Sequence, residues 1–179
     1  MCTGNICRSP FGERLLRARL AERLGPDAAL VEVGSAGVQG LVGEPMDPLA
    51  AAVLLSHGGD PTGFAGRRLD ADLVRGADLV LAANRKHRAS IVRLDPTAVR
   101  KTFTIRELAR LAPTVDLAHL PDGDARARLA AAVEEAATNR GTVRADDRAD
   151  DDVRDPYGGP DSLHREVGAQ IAEALGPIA

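Results

Sequence analysis

The chain has 179 residues, a length that one folded domain accommodates, and its 44% hydrophobic content supplies an ordinary core; with only 2% aromatic residues, that core must be built from Leu, Val, Ile and Ala. A net charge of −3 argues against a general nucleic-acid-binding surface, and no apolar run reaches the length of a helical membrane span. Two cysteines are too few for a disulfide scaffold, and nothing at the start reads as a signal peptide, so a cytoplasmic protein is expected.

Residues 9–24 carry Phe11, Leu15, Leu16, Leu20 and Leu24 at helical spacing, with Ser9 as the expected N-cap, Pro10 at the first helical position and Gly25-Pro26 as the stop. The segment "ALVEVGSAG" (29–37) reads as a short strand closing in a glycine turn, and 38–47 as loop. A helix is predicted over 47–58, capped by Asp47 with Pro48 behind it, followed by the turn "GGDPTG". "ADLVLAA" (77–83) suits a strand buried on both faces, 84–94 a basic amphipathic helix, 101–105 a third strand and 106–112 a short helix.

The character changes from 113 to 154. An alanine-rich helix is expected over 123–140, then an acidic stretch (144–155) without periodicity that reads as a mobile loop. A last helix covers 159–175. Strands alternating with helices predict a single α/β domain over 1–179 with a small parallel sheet and an insert at about 113–154. Sites in such sheets lie at the carboxyl ends of strands, where a loop feeds a helix.

"CTGNICRSP" (2–10) is such a loop. A cysteine is a nucleophile as its thiolate, a form favoured by a helix N-terminus and a nearby cation. Here Cys2 has both, since the helix follows directly and Arg8 stands beside it. Inward-turned amides of the loop make a nest for a tetrahedral oxyanion, and the guanidinium of Arg8 can grip two of its oxygens. Gly4 is expected to relieve a tight turn, Asn5 to pin the loop and Ser9 to donate to the sulfur. Taken alone, Cys2 and Arg8 also fit a small buried cysteine with an unrelated arginine. His57, His87, His119 and His164 have no ligand spacing, so no metal and no cofactor are expected, and the glycines of "GVQGLVG" do not match a dinucleotide fingerprint.

The string "CTGNICRSP" resembles the active-site loop of the low-molecular-weight protein tyrosine phosphatase family, and "DPYGGP" (155–160) resembles its Asp-Pro-aromatic motif. "GSAG" (34–37), "DLVL" (78–81) with His87 downstream, and the last helix follow the family's order. The resemblance implies a three-layer α/β/α fold and a metal-free reaction in two steps. Cys2 attacks phosphorus, Arg8 and the loop amides stabilise the transition state, and Asp155 serves first as acid and then as base. It also implies that Thr3, Gly4, Asn5, Ile6, Cys7 and Ser9 surround the phosphate, that Tyr157 walls the cleft, and that Cys7 captures an oxidised Cys2 as a disulfide. The implied partners are a phosphotyrosine protein, a bacterial tyrosine kinase among them, and phosphate or a similar oxyanion in the loop.

This sequence departs from the pattern in places. Only Met1 precedes Cys2, so the family's first, central strand is missing from this chain. The expectation is a start that lies upstream, a truncated sequence, or strands that close up with loss of activity. Phe64 and Gly66 replace the histidine and serine of the family's H-x-S-R-x-L stretch, leaving Arg67 as an expected ion-pair partner. Two alternatives stand beside the phosphatase: a thiol-dependent arsenate reductase of the same fold, and an inactive phosphate-binding relic.

Overall fold

The computed structural model describes residues 1–122 and 124–178. Helix α1 (Arg8–Leu24) starts one residue before the expected point, with Cys7 at the cap position and no side-chain cap bond. Ser9 does not cap it, because its hydroxyl is held in the loop described below. Gly25, with φ 56° in the left-handed region that glycine tolerates, ends the helix. A 3₁₀ turn over Gly25–Leu30 follows.

The strand expected at 29–37 does not form, and only its end finds a ladder. Cys2 bridges Gly37 in parallel, and Gly37 bridges Arg68. Residues 32–36 form no strand, and Cys2 N donates to Ala36 O at 3.4 Å. Arginines cover carbonyls of this segment: Arg17 Nε donates to Val33 O at 2.8 Å and Arg67 Nε to Ser35 O at 2.6 Å. Arg67 therefore meets a carbonyl where the sequence suggested an ion pair.

Helix α2 (Pro48–Ser56) is capped by Asp47, which accepts from the amides of Leu49 and Ala50. The short helix α3 (Ala71–Gly76) escapes sequence reading because its six residues bury only Val74. Its one local signal is Asp70, which accepts from Leu73 N at 2.8 Å. Strand β1 (Val80–Ala82) leads into α4 (Arg85–Leu94), which crosses over to β2 (Thr102–Thr104). The two strands are parallel, with Val80 opposite Thr102 and Ala82 opposite Thr104. On the other side of β1 lie Met1 and Cys2. The Met1 amino group donates to Leu81 O at 2.6 Å, and Ala83 N donates to Met1 O at 2.8 Å. Met1 and Cys2 thus hold the middle row, where the family's pattern has a longer strand. The architecture is a small parallel sheet flanked by helices, as the sequence predicted.

Thr104 and Glu107 form a reciprocal capping box that starts α5 (Ile105–Leu111). Helix α6 (Ala125–Thr138) lies in the segment read as an insert, yet Val133 and Ala136 share a core cluster with Phe103, Leu108 and Leu111. Arg140 seals this corner, with its guanidinium 4.0 Å from the Phe103 ring centroid and Nε 2.8 Å from Glu107. Helix α7 (Asp161–Leu175) packs Val167 and Ile171 against Phe11 and Leu15 of α1 and Val53 of α2. No helix among the described residues is long and apolar enough to cross a membrane.

The acidic stretch is more ordered than its composition suggests. Asp147 and Asp150 cap a 3₁₀ turn over Arg148–Asp151 reciprocally. Asp151 pairs with Arg110 of α5, and Asp152 pairs with Arg85 of α4 at 3.0 Å. The counter-charges come from distant helices, so the local sequence does not reveal them.

Candidate active site

The loop from Cys2 to Arg8 leaves the carboxyl end of the middle row and enters α1. Its carbonyls point outward to neighbouring backbone: Val38 N donates to Cys2 O at 2.9 Å, Gln39 N to Thr3 O at 3.0 Å, Leu41 N to Gly4 O at 3.0 Å and Asp47 N to Ile6 O at 2.9 Å. Its amides do not follow suit. Among the described residues, the N–H groups of residues 3–7 have no protein acceptor. Carbonyls turned out and amides left over define an anion nest ahead of a helix N-terminus.

Asn5 makes that geometry possible. It is the one non-glycine at positive φ (57°) among the described residues, a conformation asparagine tolerates better than most side chains. Fully buried, it accepts from Arg67 N at 2.9 Å and donates to Ser9 Oγ at 2.9 Å and Ser35 Oγ at 2.8 Å. Ser9 Oγ in turn lies 2.9 Å from Cys2 Sγ, the contact expected from the sequence. Gly4 does not relieve the turn, since a Cβ there meets only ordinary contacts, the nearest at 3.6 Å. The glycine that matters is Gly37, where a Cβ would stand 2.4 Å from Thr3 O and 2.9 Å from Asn5 N.

Arg8 is 4% exposed. One terminal nitrogen donates to Val153 O at 3.1 Å, the other meets Asp155 Oδ2 at 2.8 Å, and Nε is buried without a partner. Asp155 is half exposed and accepts weakly from Tyr157 N at 3.3 Å. Its segment is tied from behind: Val153 N donates to Ala83 O at 2.8 Å, and Asp152 Oδ1 accepts from Arg85 N, the first amide of α4, at 2.8 Å. The run of aspartates is thereby sorted, with Asp151 on Arg110, Asp152 on Arg85 and Asp155 on Arg8. The Asp152–Arg85 pair is solvent-screened and lies behind the segment that carries Asp155, so Asp152→Asn should lower kcat by less than about fivefold. Steady-state turnover of an aryl phosphate checks this, and Asp155 variants should fall far below it.

Cys7 lies in the main core cluster beside Phe11. Burial, followed by the charges of Asp47, Cys2 and Asp155, pushes its thiol up to about 12, so Cys7 stays protonated at neutral pH. Both cysteines are free thiols. Tyr157 is exposed and lines a groove of about 290 Å³ with Ile6, Leu41, Pro45, Met46 and Pro48. Glu44 and Asp47 add two acidic groups to its lining. Among the described residues no group of three or more potential metal ligands comes together.

Residues 1–135 match the family described as "Low molecular weight phosphotyrosine protein phosphatase". The chain belongs to this family. It is 48% identical to the low molecular weight protein-tyrosine-phosphatase Etp of Escherichia coli K12 over 103 residues, which are 58% of this chain and 64% of Etp. The probable family member AmsI of Erwinia amylovora is 39% identical over 103 residues, covering 58% of this chain and 66% of its own. Each match thus spans less than two thirds of the relative's length. Among solved structures, the low molecular weight protein tyrosine phosphatase from T. tengcongensis superposes with a TM-score of 0.69 at 28% identity, covering 99% of this chain and 92% of that one. Wzb from Escherichia coli K30, solved in complex with sulphate, gives 0.64 at 28% identity over 97% and 88% of the two chains.

Within this family frame, several contacts to the loop were out of reach of sequence reading. His87, near the start of α4, comes within 2.9 Å of Thr3 Oγ1 through Nε2. Burial, then the charge of Arg8, pushes its imidazole down to about 4, so it is neutral at pH 7. An unfolded His87 takes a proton near 6.5 that the folded one refuses. Stability should therefore fall as pH drops from about 6.5 toward about 4 and show no His87 contribution above that window. Urea midpoints across this range test it, and His87→Gln should flatten the slope. Ser35 also reaches the loop, through Asn5, and donates to Glu13 behind it. Phe64 does not: it packs in the core with Arg14 5.6 Å from its ring centroid.

Proposed function

We propose that this chain is a protein tyrosine phosphatase that hydrolyses phosphotyrosine through a cysteinyl-phosphate. The reading is carried by the loop whose carbonyls are bonded outward and whose amides lack acceptors, closed by a buried Arg8 that meets Asp155 at 2.8 Å. Three oxygens of a phosphate monoester dianion would take the loop amides and the Arg8 fork, which includes the unpartnered Nε. An incoming anion displaces Asp155 from Arg8, and the carboxyl is then free to face the leaving group.

In the first step an electron pair on Cys2 Sγ forms the S–P bond as the P–O bond to the tyrosyl oxygen breaks. Asp155, protonated for this step, passes its proton to that oxygen. In the second step Asp155, now a carboxylate, takes a proton from a water whose oxygen attacks phosphorus. The S–P bond breaks, and Cys2 thiolate and phosphate are released. Ser9 stabilises the thiolate in both the resting state and the second step, and Asn5 holds Ser9 in place. Thr3, Gly4, Ile6 and Cys7 supply backbone amides, and Tyr157 with Ile6 and Leu41 supplies an apolar wall for an aryl group.

The partner in this reading is a tyrosine-phosphorylated bacterial protein of the cytoplasm, a tyrosine kinase among them. An arsenate reductase that resolves through its own cysteine would need a second accessible thiol, and Cys7 is a buried, protonated member of the same loop; a reductase that draws on an external thiol is decided by the assay that follows. The test is release of phosphate from peptides carrying phosphotyrosine, phosphoserine or phosphoarginine, alongside thiol-dependent arsenate reduction. Selective turnover of phosphotyrosine supports the proposal. Preference for either other phosphopeptide, or arsenate reduction alone, overturns it.

A further inference from the structure

We propose that Glu44 is a specificity-determining residue, selecting phosphotyrosine peptides that carry a lysine or arginine close to the phosphotyrosine; the proposal rests on the phosphatase reading above and narrows its substrate class. The groove of about 290 Å³ beside Tyr157 is walled by apolar side chains toward the loop, among them Ile6 and Leu41. The charged groups in its lining are both carboxylates, Glu44 and Asp47. Leu41, Val42, Leu49 and Tyr157 are exposed on or beside the groove, so apolar surface collects at its mouth, as it does where a partner docks.

The two carboxylates are differently engaged. Asp47 Oδ1 accepts from Leu49 N at 3.0 Å and from Ala50 N at 3.1 Å, which commits it to capping α2. Glu44 is exposed, and among the described residues its carboxylate has no hydrogen bond or ion pair. Its backbone, by contrast, is braced. Leu41 N donates to Gly4 O at 3.0 Å and Asp47 N to Ile6 O at 2.9 Å, so both ends of the span 41–47 hang on the phosphate loop. Between them the chain turns at Gly43, with φ 82°, Glu44 N donates to Leu41 O at 3.2 Å, and Gly66 N donates to Glu44 O at 2.7 Å. A free acceptor thus stands at a set offset from the oxyanion nest, on backbone that has little order left to lose when a peptide binds.

The charges around the mouth complement a cationic flank. Arginines of the site are turned elsewhere: Arg8 to Val153 O and Asp155, Arg67 to Ser35 O, Arg85 to Asp152 and Arg154 to Glu166. Arg68 is exposed but does not line the groove. Asp155 adds a third carboxylate, two residues before Tyr157. An incoming peptide therefore meets a cationic floor and an anionic rim. The phosphoryl group suits the floor. A lysine or arginine suits the rim, its aliphatic stem lying along Leu41 and Pro45 while its charged head reaches Glu44. An acidic flank is repelled by the same groups.

The test uses phosphotyrosine peptides that differ only in lysine, glutamine or glutamate at one of the two positions on either side of the phosphotyrosine. Each reading is the ratio of kcat/KM for the lysine peptide to that for the glutamate peptide on one preparation, so the active fraction cancels. At the best position the parent should prefer lysine by about fivefold to tenfold, the sum of an exposed attraction and an exposed repulsion. The preference should lie in KM, because a flanking contact is the same in ground and transition states, and it should shrink in about 0.5 M salt. Glu44→Gln should reduce the ratio to about twofold, and Glu44→Lys should bring it to one or below. Glu22→Lys changes the net charge equally but lies roughly 20 Å along α1 from Arg8, so it should keep the parent's ratio within about twofold. A parent ratio near one at every position overturns the proposal. So does a ratio unmoved in Glu44→Lys, or one moved as far by Glu22→Lys. Titration calorimetry with the same peptides carrying a non-hydrolysable phosphonate reads the subsite without turnover. Hydrolysis of all the peptides alike keeps the phosphatase reading and overturns the subsite. No hydrolysis, with tighter binding of the lysine phosphonate that is lost in Glu44→Lys, overturns the phosphatase reading and keeps the subsite.

Discussion

Replacing Cys2 with serine should cut turnover of an aryl phosphate by at least about 10⁴-fold while leaving oxyanion binding in place. The sulfur sits 2% exposed at the foot of the loop, 2.9 Å from Ser9 Oγ and beneath amides that have no other acceptor. A serine hydroxyl fits the same space but is far less easily deprotonated, and no base in the loop can do it: Ser9, Asn5 and Arg8 are all donors toward the centre of the site. The loop amides and Arg8 are untouched, so phosphate or vanadate should still bind to Cys2→Ser within a few-fold of the parent. Steady-state kinetics and isothermal titration on the same preparation separate lost chemistry from a lost fold.

Asp155→Asn should lower kcat for a phosphotyrosine peptide by about 10²-fold to 10⁴-fold, the range that a general acid supplies. The loss should shrink for aryl phosphates whose leaving phenol is more acidic, because such a phenolate departs without a proton. The second signature has the opposite sign. In the unliganded chain Asp155 Oδ2 occupies a terminal nitrogen of Arg8 at 2.8 Å, where an anion would have to bind. Removing that carboxylate's charge removes both a competitor and a repulsive neighbour, so inorganic phosphate should bind several-fold tighter to Asp155→Asn. A variant with lower kcat and weaker phosphate binding would mean that Asp155 holds Arg8 in position and does not act on the leaving group.

The loop was legible in the sequence because it is contiguous. Nine residues hold the proposed nucleophile, the amide run, the cation and the start of the helix. Helix α2 was legible through its local cap, Asp47, and α4 through its basic amphipathic pattern. What stayed hidden was decided by groups far away in the chain. Ser9 has the composition of an N-cap, but its hydroxyl is claimed by Cys2 and Asn5, and a tertiary contact overrides the local preference. The segment at 29–37 has the composition of a strand, but only Gly37 enters a bridge and two arginines take the carbonyls of Val33 and Ser35. The acidic stretch looked unpaired only because Arg85 and Arg110 lie in other helices. Glu13 gave no sequence signal, since neither its spacing nor its type separates it from an ordinary charged helix face, whereas Ser35 stood within "GSAG" without its contact to Asn5 being legible.

The central claim is that phosphorus passes through the sulfur of Cys2. Rapid acid quench of the chain during turnover of an aryl phosphate, followed by mass mapping under conditions that preserve thiophosphate esters, addresses it most directly. One phosphoryl group on Cys2, absent in Cys2→Ser, is the result this account predicts. Turnover with an unmodified Cys2, or with the phosphoryl group on another residue, would contradict it.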